Sequence, residues 1–317
     1  MDRRTFLAVC AAAGSAGLAP RMAFAQATAA GGRKPVVGLV MKSLANEFFK
    51  DMQEGAVKHA LERGDLVLIP VGIQSETDID GQIAAVENLI TRKVDAIVIA
   101  HADSRALLSP IVRAIKAGIK VINIDVAFDP ASMKKHHVDI AFVGPDNRAG
   151  AKLSGDVLAK ALGRGAKVVI IEGNPGAENG VQRKLGFMDA ITAGGLTLVD
   201  SRTGHWETEE ANTVFTNMLT AHHDIQGVMA ANDSMALGVV KAIDAAGKPG
   251  AIKVVSFDNI PAIQPLLKDR KVLATVDQFG AQLAAMGIDN AMKEIAGATL
   301  TGWIKTPVKL VTAQTMG

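Results

Sequence analysis

The sequence predicts an α/β protein of two doubly wound parallel-sheet lobes joined by two or three hinge strands. Three observations carry this. Short β-rich apolar runs alternate with segments of helical apolar spacing, the pattern of parallel sheets covered on both faces. About nine or ten such runs occur, too many for one comfortable doubly wound domain. A Gly-Pro break at 144–145 stands at the first candidate crossing between the two halves.

The first run is "PVVGLVM" (35–41), followed by a helix-length segment to Arg63. "DLVLIPV" (65–71), "VDAIVIA" (94–100), "IKVINID" (119–125) and "VDIAFVG" (138–144) repeat the theme. Ile79, Ile83, Val86, Leu89 and Ile90 fall on one helical face between the second and third runs. "FVGPDN" (142–147) reads as a crossover, with a helix starting near Asp146. The rhythm returns with "AKVVIIEG" (166–173), "LTLVDSR" (196–202), "IQGVMAA" (225–231) and "IKVVSFD" (252–258). "LATVDQFG" (273–280) and "KTPVKLVTAQT" (305–315) are two further candidate crossings. The expected lobes are 35–145 with 279–306, and 146–278 with 307–317.

The N-terminus differs in kind. Two arginines precede an apolar run from Phe6 to Ala19, and Ala23-Phe24-Ala25 offers small residues for cleavage. That order marks residues 1–25 as an export signal, and "RRTFL" resembles the twin-arginine type. Residues 26–34 read as a flexible leader. Cleavage near Ala25 would remove Cys10, the only cysteine, and with it thiolate and disulfide chemistry. It would also remove three of 34 basic and one of 32 acidic residues, leaving a net charge of zero. A neutral, exported, cysteine-free chain is a poor candidate for binding nucleic acid or anionic lipid.

In sheets of this class ligands sit at the C-terminal ends of the strands. Lys42, Asn46, Phe48 and Phe49 follow the first run, Asp125 the fourth, and Asn147 the crossover. Trp206 follows "LTLVDSR", Asn232 follows "GVMAA", Phe257 and Asp258 follow "VVS", and Gln278 follows "LATVD". Amides and carboxylates fix hydroxyl groups by paired hydrogen bonds, and flat rings pack on C–H faces. The set suits a neutral, hydroxyl-rich small molecule. Bland readings stand beside it. Phe48 and Phe49 could be core, since Met52, Ala56 and Ala60 continue a stripe from position 49. Asn46 and Asp233 read as helix caps.

Other chemistry finds no motif. "GNPGAENG" (173–180) lacks the Gly-Lys-Ser/Thr ending of a phosphate loop. There is no G-x-G-x-x-G and no G-x-S-x-G. The seven histidines lack the spacing of a helix-borne zinc site and are read as surface residues. No cofactor and no metal are expected.

"SLANEFF", "VINID", "GPDNRAGAKLSGD", "LTAHHDIQGVMAANDSMALGVVKAI", "VVSFDNIPA" and "ATVDQFG" together resemble the ribose-binding type of periplasmic solute-binding protein. That family is the soluble component of sugar importers driven by ATP hydrolysis, and the similarity covers essentially the whole chain after the signal. The resemblance implies the type I fold, with two lobes on a three-stranded hinge and a sugar or polyol in the cleft. It implies a ligand wall of Asn46, Phe48, Phe49 and Asp125 facing one of Asn232, Phe257 and Asp258. Asn147 and Gln278 would lie by the crossings, and Trp206 would supply a ring from the second lobe. Its expected partners are an inner-membrane permease with its ATPase, and a chemoreceptor. It implies a periplasmic location and binding without catalysis.

Two departures stand out. Val126 occupies a position where ribose binders carry Arg, and the loop Asn179-Gly180-Val181 lacks the second expected Arg. Both argue against ribose itself, with Lys42 as the preferred replacement donor and Arg183 as a second. Glu178 would add negative charge near the cleft. A sugar-sensing domain for a chemoreceptor or sensor kinase is the alternative function, and an exported carbohydrate-active enzyme is a further one.

Overall fold

The computed structural model describes residues 33–316. The expected signal, Cys10 and most of the leader lie outside these residues. Among the described residues no helix is long and apolar enough to cross a membrane.

Two six-stranded sheets organise the chain. The first contains β1 (Val36–Ser43), β2 (Val67–Ile73), β3 (Ala96–Ile99), β4 (Lys120–Ile124), β5 (Phe142–Pro145) and β11 (Trp303–Thr306). The second contains β6 (Lys167–Glu172), β7 (Thr197–Thr203), β8 (Gly227–Ala230), β9 (Lys253–Val255), β10 (Val272–Asp277) and β12 (Lys309–Thr312). Their orders, β11-β5-β4-β3-β1-β2 and β12-β10-β9-β8-β6-β7, are the same pattern used twice. The pairings are parallel except β10 with β12, where the chain returns along the last crossing as an antiparallel edge. The central strands are buried on both faces, which is why β3 and β8 read as unbroken apolar runs.

The chain passes between the sheets three times: after Pro145, after Asp277 and after Thr306. The second crossing leads into α10 (Gly280–Ile295), which packs on β3, β4 and α1 (Glu47–Arg63) of the first sheet.

Side chains at the strand ends start the helices that follow. Asn46 caps α1, its Oδ1 accepting from Phe48 N–H, and Gly64 ends that helix in the left-handed conformation, where a side chain would be strained. Asp146 caps α5 (Asn147–Leu162) by accepting from Ala149 N–H. Asn232 caps α8 (Asp233–Ala245) by accepting from Met235 N–H. The cap expected of Asp233 therefore belongs to Asn232. Asp233 instead turns inward and accepts from Ser256 Oγ, Thr275 Oγ1 at 2.8 Å and Ile260 N–H at 2.9 Å. It thereby braces the turn after β9.

Candidate functional site

The strand ends of the two sheets face each other across a narrow buried cavity. Lys42, Asn46, Phe48, Phe49 and Asp125 line it from the first sheet's side. Asn179, Arg183, Trp206, Asn232, Asp258 and Gln278 line it from the second. All eleven are buried.

Backbone strain aims three of these residues. Asp125 (φ 65°), Trp206 (φ 71°) and Asp258 (φ 118°) hold left-handed backbone that costs an L-residue of order 1–3 kcal/mol. The turn of Asp125 is held from beneath by Asn123, whose Nδ2 donates to Val126 O at 2.7 Å and whose Oδ1 accepts from Phe128 N–H at 3.2 Å. Asp258 is held by its own N–H on Val276 O at 2.8 Å. The Trp206 ring lies against Gly173, where a Cβ would come within 2.1 Å of the indole, so only glycine fits.

Phe48 and Phe49 meet edge to face, with centroids 5.1 Å apart. Both rings border the cavity, and both also belong to the hydrophobic core. Site and core are thus shared roles for this pair.

The cavity carries its own charges. Lys42 Nζ sits 3.2 Å from Glu76 Oε2 and 4.9 Å from the centre of the Phe49 ring. Glu76 Oε1 accepts from Asn46 Nδ2 at 3.0 Å. Burial pushes the Glu76 carboxyl above the usual range, and Lys42 pulls it back. Arg183 donates from Nε to Asn147 Oδ1 at 2.8 Å, and from Nη1 to Ala231 O at 2.9 Å and Asp258 Oδ1 at 3.2 Å. Its guanidinium lies 3.8 Å from the centre of the Phe257 ring. Gln278 Nε2 adds a second donor to Asp258 Oδ1 at 2.8 Å. Burial raises the Asp258 carboxyl, and Arg183 opposes it.

Several polar atoms that border this cavity have no hydrogen-bond partner among the described residues. They are both carboxylate oxygens of Asp125, Gln278 Oε1, Asn179 Oδ1 and Trp206 Nε1. Burial raises the Asp125 carboxyl, offset by Lys42 and then Arg183. Buried polar groups are normally paired, so a cluster of exceptions points at a ligand. The missing partner must supply several donors and at least one acceptor, which is what hydroxyl groups offer.

Nine of the eleven candidates from the sequence come together here. The other two, Asn147 and Phe257, do not border the cavity; they hold Arg183 from its side and its face. Arg183, the second replacement donor named from the sequence, reaches the cavity from helix α6 (Glu178–Gly194). Asn179, four residues before Arg183 on the same helix face, is the lining residue the sequence reading missed. Val126 is buried behind Asp125 and contributes nothing to the lining. Glu178 also stays outside the cavity, where it accepts from Gln182 Nε2 at 2.7 Å.

His101 corrects the surface reading of the histidines. It is fully buried and stacked on Phe128, ring centroids 4.1 Å apart. Burial, then the Lys42 charge, holds its pKa down to about 3 from the ordinary 6.5. The unfolded chain therefore takes up a proton below pH 6.5 that the folded protein refuses until about pH 3. Stability contributed by neutral His101 is whole above 6.5 and falls by about 1.4 kcal/mol per pH unit below it. His101→Gln is expected to flatten the acid limb of stability measured by urea unfolding between pH 7 and 4. An unchanged slope would show that His101 does not carry this proton linkage. Among the described residues no group of side chains could hold a metal ion.

Comparison with known proteins places this geometry. A family model described as a periplasmic binding protein domain matches residues 37–299. A D-ribose/D-allose-binding protein of Pseudomonas aeruginosa is 50% identical over 285 residues, covering 88% of this chain and 89% of that protein. An ABC transporter solute-binding protein of Burkholderia multivorans, solved with an unknown ligand, superposes with a TM-score of 0.86 at 48% identity. It covers 89% of this chain and all of that one. Another from Actinobacillus succinogenes, solved with bound D-allose, gives 0.84 at 36% identity, covering 89% and 98%.

Proposed function

The chain belongs to the periplasmic binding protein family, and from that premise we propose that it captures a single aldose of the allose or ribose kind between its lobes. It is a sugar-binding receptor of an ABC importer that works in the periplasm, and a transport protein rather than an enzyme. The importer's permease and ATPase are its partners in that role.

The observation that carries the ligand class is the set of unpartnered buried atoms on Asp125, Asn179, Trp206 and Gln278. Sugar hydroxyls would donate to the Asp125 carboxylate and to the two amide oxygens, and one hydroxyl oxygen would accept from Trp206 Nε1. Arg183 Nη2, not used in the bonds Arg183 makes among the described residues, is a second donor. Phe48, Phe49 and Trp206 offer apolar surface to the C–H faces of a ring. Lys42, paired with Glu76, extends the first wall beyond Asn46. The presence of Arg183 removes one of the two sequence arguments against ribose.

Because the lining comes from both sheets, only a closed arrangement satisfies the ligand fully. The lobes 35–145 with 279–306 and 146–278 with 307–317 would turn about the three crossings, and a ligand touching both would favour closure by its differential affinity. The "RRTFL" signal supports export by the twin-arginine route. A chemoreceptor reading the same closed form is a further partner that fits this reading.

Titration calorimetry with D-allose, D-ribose, D-glucose and myo-inositol tests the ligand class. Binding of allose and ribose, with glucose at least about tenfold weaker, is expected from one mismatched hydroxyl in a site of fixed donors and acceptors. Binding of the inositol with neither aldose bound would place the ligand in another class.

A further inference from the structure

Two glutamates at helix starts reach across the cleft. Glu47, the first residue of α1, accepts through Oε2 from the backbone N–H of Ala262 at 3.1 Å. Ala262 lies in a 3-10 turn (Pro261–Ile263) that follows β9 of the opposite sheet. Glu207, the residue before helix α7 (Thr208–Ala221), accepts through Oε1 from the backbone N–H of Glu76 at 3.0 Å. Glu76 follows β2 of the first sheet. Each bond therefore runs from a carboxylate on one lobe to an amide on the other, and the two run in opposite directions.

Neither glutamate lines the cavity, and both are half-buried. Yet each stands next in sequence to residues that do line it: Glu47 between Asn46 and Phe48, Glu207 after Trp206. The Glu207 bond also ends on the residue whose carboxylate holds Lys42 and Asn46. The backbone segments that present the ligand walls are thus tied across the cleft, beside further cross-cleft bonds from Ser104 N–H to Gly176 O, from Glu178 N–H to Ser104 Oγ, and from Ser234 Oγ to Asn46 Oδ1. Opening must break both bonds and return each carboxylate and amide to water. Their strength belongs to the closed form alone and does not depend on what is bound.

We propose that Glu47 and Glu207 are a paired latch that sets how readily the protein closes, and so scales affinity for every sugar by one common factor. This rests on the closure reading above. When only a fraction of molecules is closed, the apparent dissociation constant is the intrinsic one divided by that fraction. Weakening the latch lowers the fraction and leaves the intrinsic contacts alone. The structure thus separates groups that choose the sugar from groups that set how tightly any sugar is held.

The test uses Glu47→Gln, Glu207→Gln, the matching alanine variants and the double alanine variant, titrated with D-allose and D-ribose. Glutamine keeps the shape and an acceptor oxygen but drops the charge, so it controls for helix-start damage in the alanine variants. Each glutamine variant is expected to weaken both sugars about threefold and each alanine variant about tenfold, the loss of one half-exposed charged hydrogen bond. The double variant should show about the product, since the two bonds share no partner. The allose-to-ribose affinity ratio should stay constant throughout. Unchanged affinities, or a change confined to one sugar, would overturn the latch. If the unaltered protein binds neither sugar, the ligand assignment fails instead. The latch is then judged by X-ray scattering, where a radius of gyration no larger in the ligand-free variants would overturn it.

Discussion

Asp125→Asn is expected to weaken sugar binding about 10- to 100-fold while leaving the melting temperature of the ligand-free protein the same or higher. Most buried substitutions weaken both, so the opposed signs are diagnostic. Both Asp125 oxygens are buried without a protein hydrogen-bond partner. Burial disfavours the charged form, and only Lys42 and Arg183 offset it at a distance. The substitution therefore removes no hydrogen bond that the protein makes for itself. It removes a charged acceptor from the ligand, and hydrogen bonds to charged groups contribute about 1.5–3 kcal/mol each. Asparagine is the right replacement because it tolerates the left-handed backbone at this position (φ 65°), where alanine would add strain. Calorimetry and a thermal melt read the two effects separately. Unchanged affinity, or a melting temperature lower by several degrees, would make Asp125 a structural residue.

Arg183→Ala should lower both quantities, and by more. The guanidinium carries Asn147, the Ala231 carbonyl and Asp258, and it lies on the Phe257 ring. Its removal strands Asp258 in a buried site with Gln278 as the remaining donor. Breaking one side of a buried ion pair costs about 3–5 kcal/mol, a large part of a typical folding free energy. Lysine should not restore function, because one ammonium cannot span three acceptors and stack flat on a ring. The stability deficit should shrink in acid. Burial already raises the Asp258 carboxyl, and loss of Arg183 raises it further. A raised carboxyl penalises the folded state above its folded pKa, and the penalty fades as pH falls through that value. Urea unfolding of the variant and the unaltered protein at pH 10 and pH 7, either side of the value of about 8 that burial gives Asp258 in the intact pair, measures this. A deficit that is the same at both pH values would show that Asp258 is not what Arg183 neutralises.

Much of the fold was legible because it rests on local pattern. Strands buried on both faces must read as short apolar runs, and the helices between them must be amphipathic. The candidate site was legible to the extent that it sits at strand ends. Asp125, Asn232, Asp258 and Gln278 needed only the run that precedes each. Arg183 needed more, since it lies inside a helix whose facing direction is set by packing against α5. From the sequence it stood only as a second replacement donor, and its i, i+4 spacing from Asn179 was the further signal that the helix turns both inward. Phe257 shows the opposite error. Adjacent residues of an extended chain point to opposite sides, so with Asp258 at the cavity the neighbouring ring had to turn away, under Arg183. Phe48 and Phe49 escape that constraint because they lie on a helix end wrapped by both core and cavity. His101 had no local signal at all. Its burial comes from Phe128, a ring brought over it by the turn after β4.

The central claim is that one sugar is held by residues of both lobes at once. A crystal structure of the protein with D-allose tests it most directly. The account predicts one sugar between the sheets, with hydroxyls on both Asp125 oxygens and within hydrogen-bond distance of Arg183, and with a ring face against Phe48, Phe49 or Trp206. A sugar bound to one lobe alone, or seated in the groove lined by Phe128, Met133, Phe142 and Trp303 with Asp125 unengaged, would contradict it.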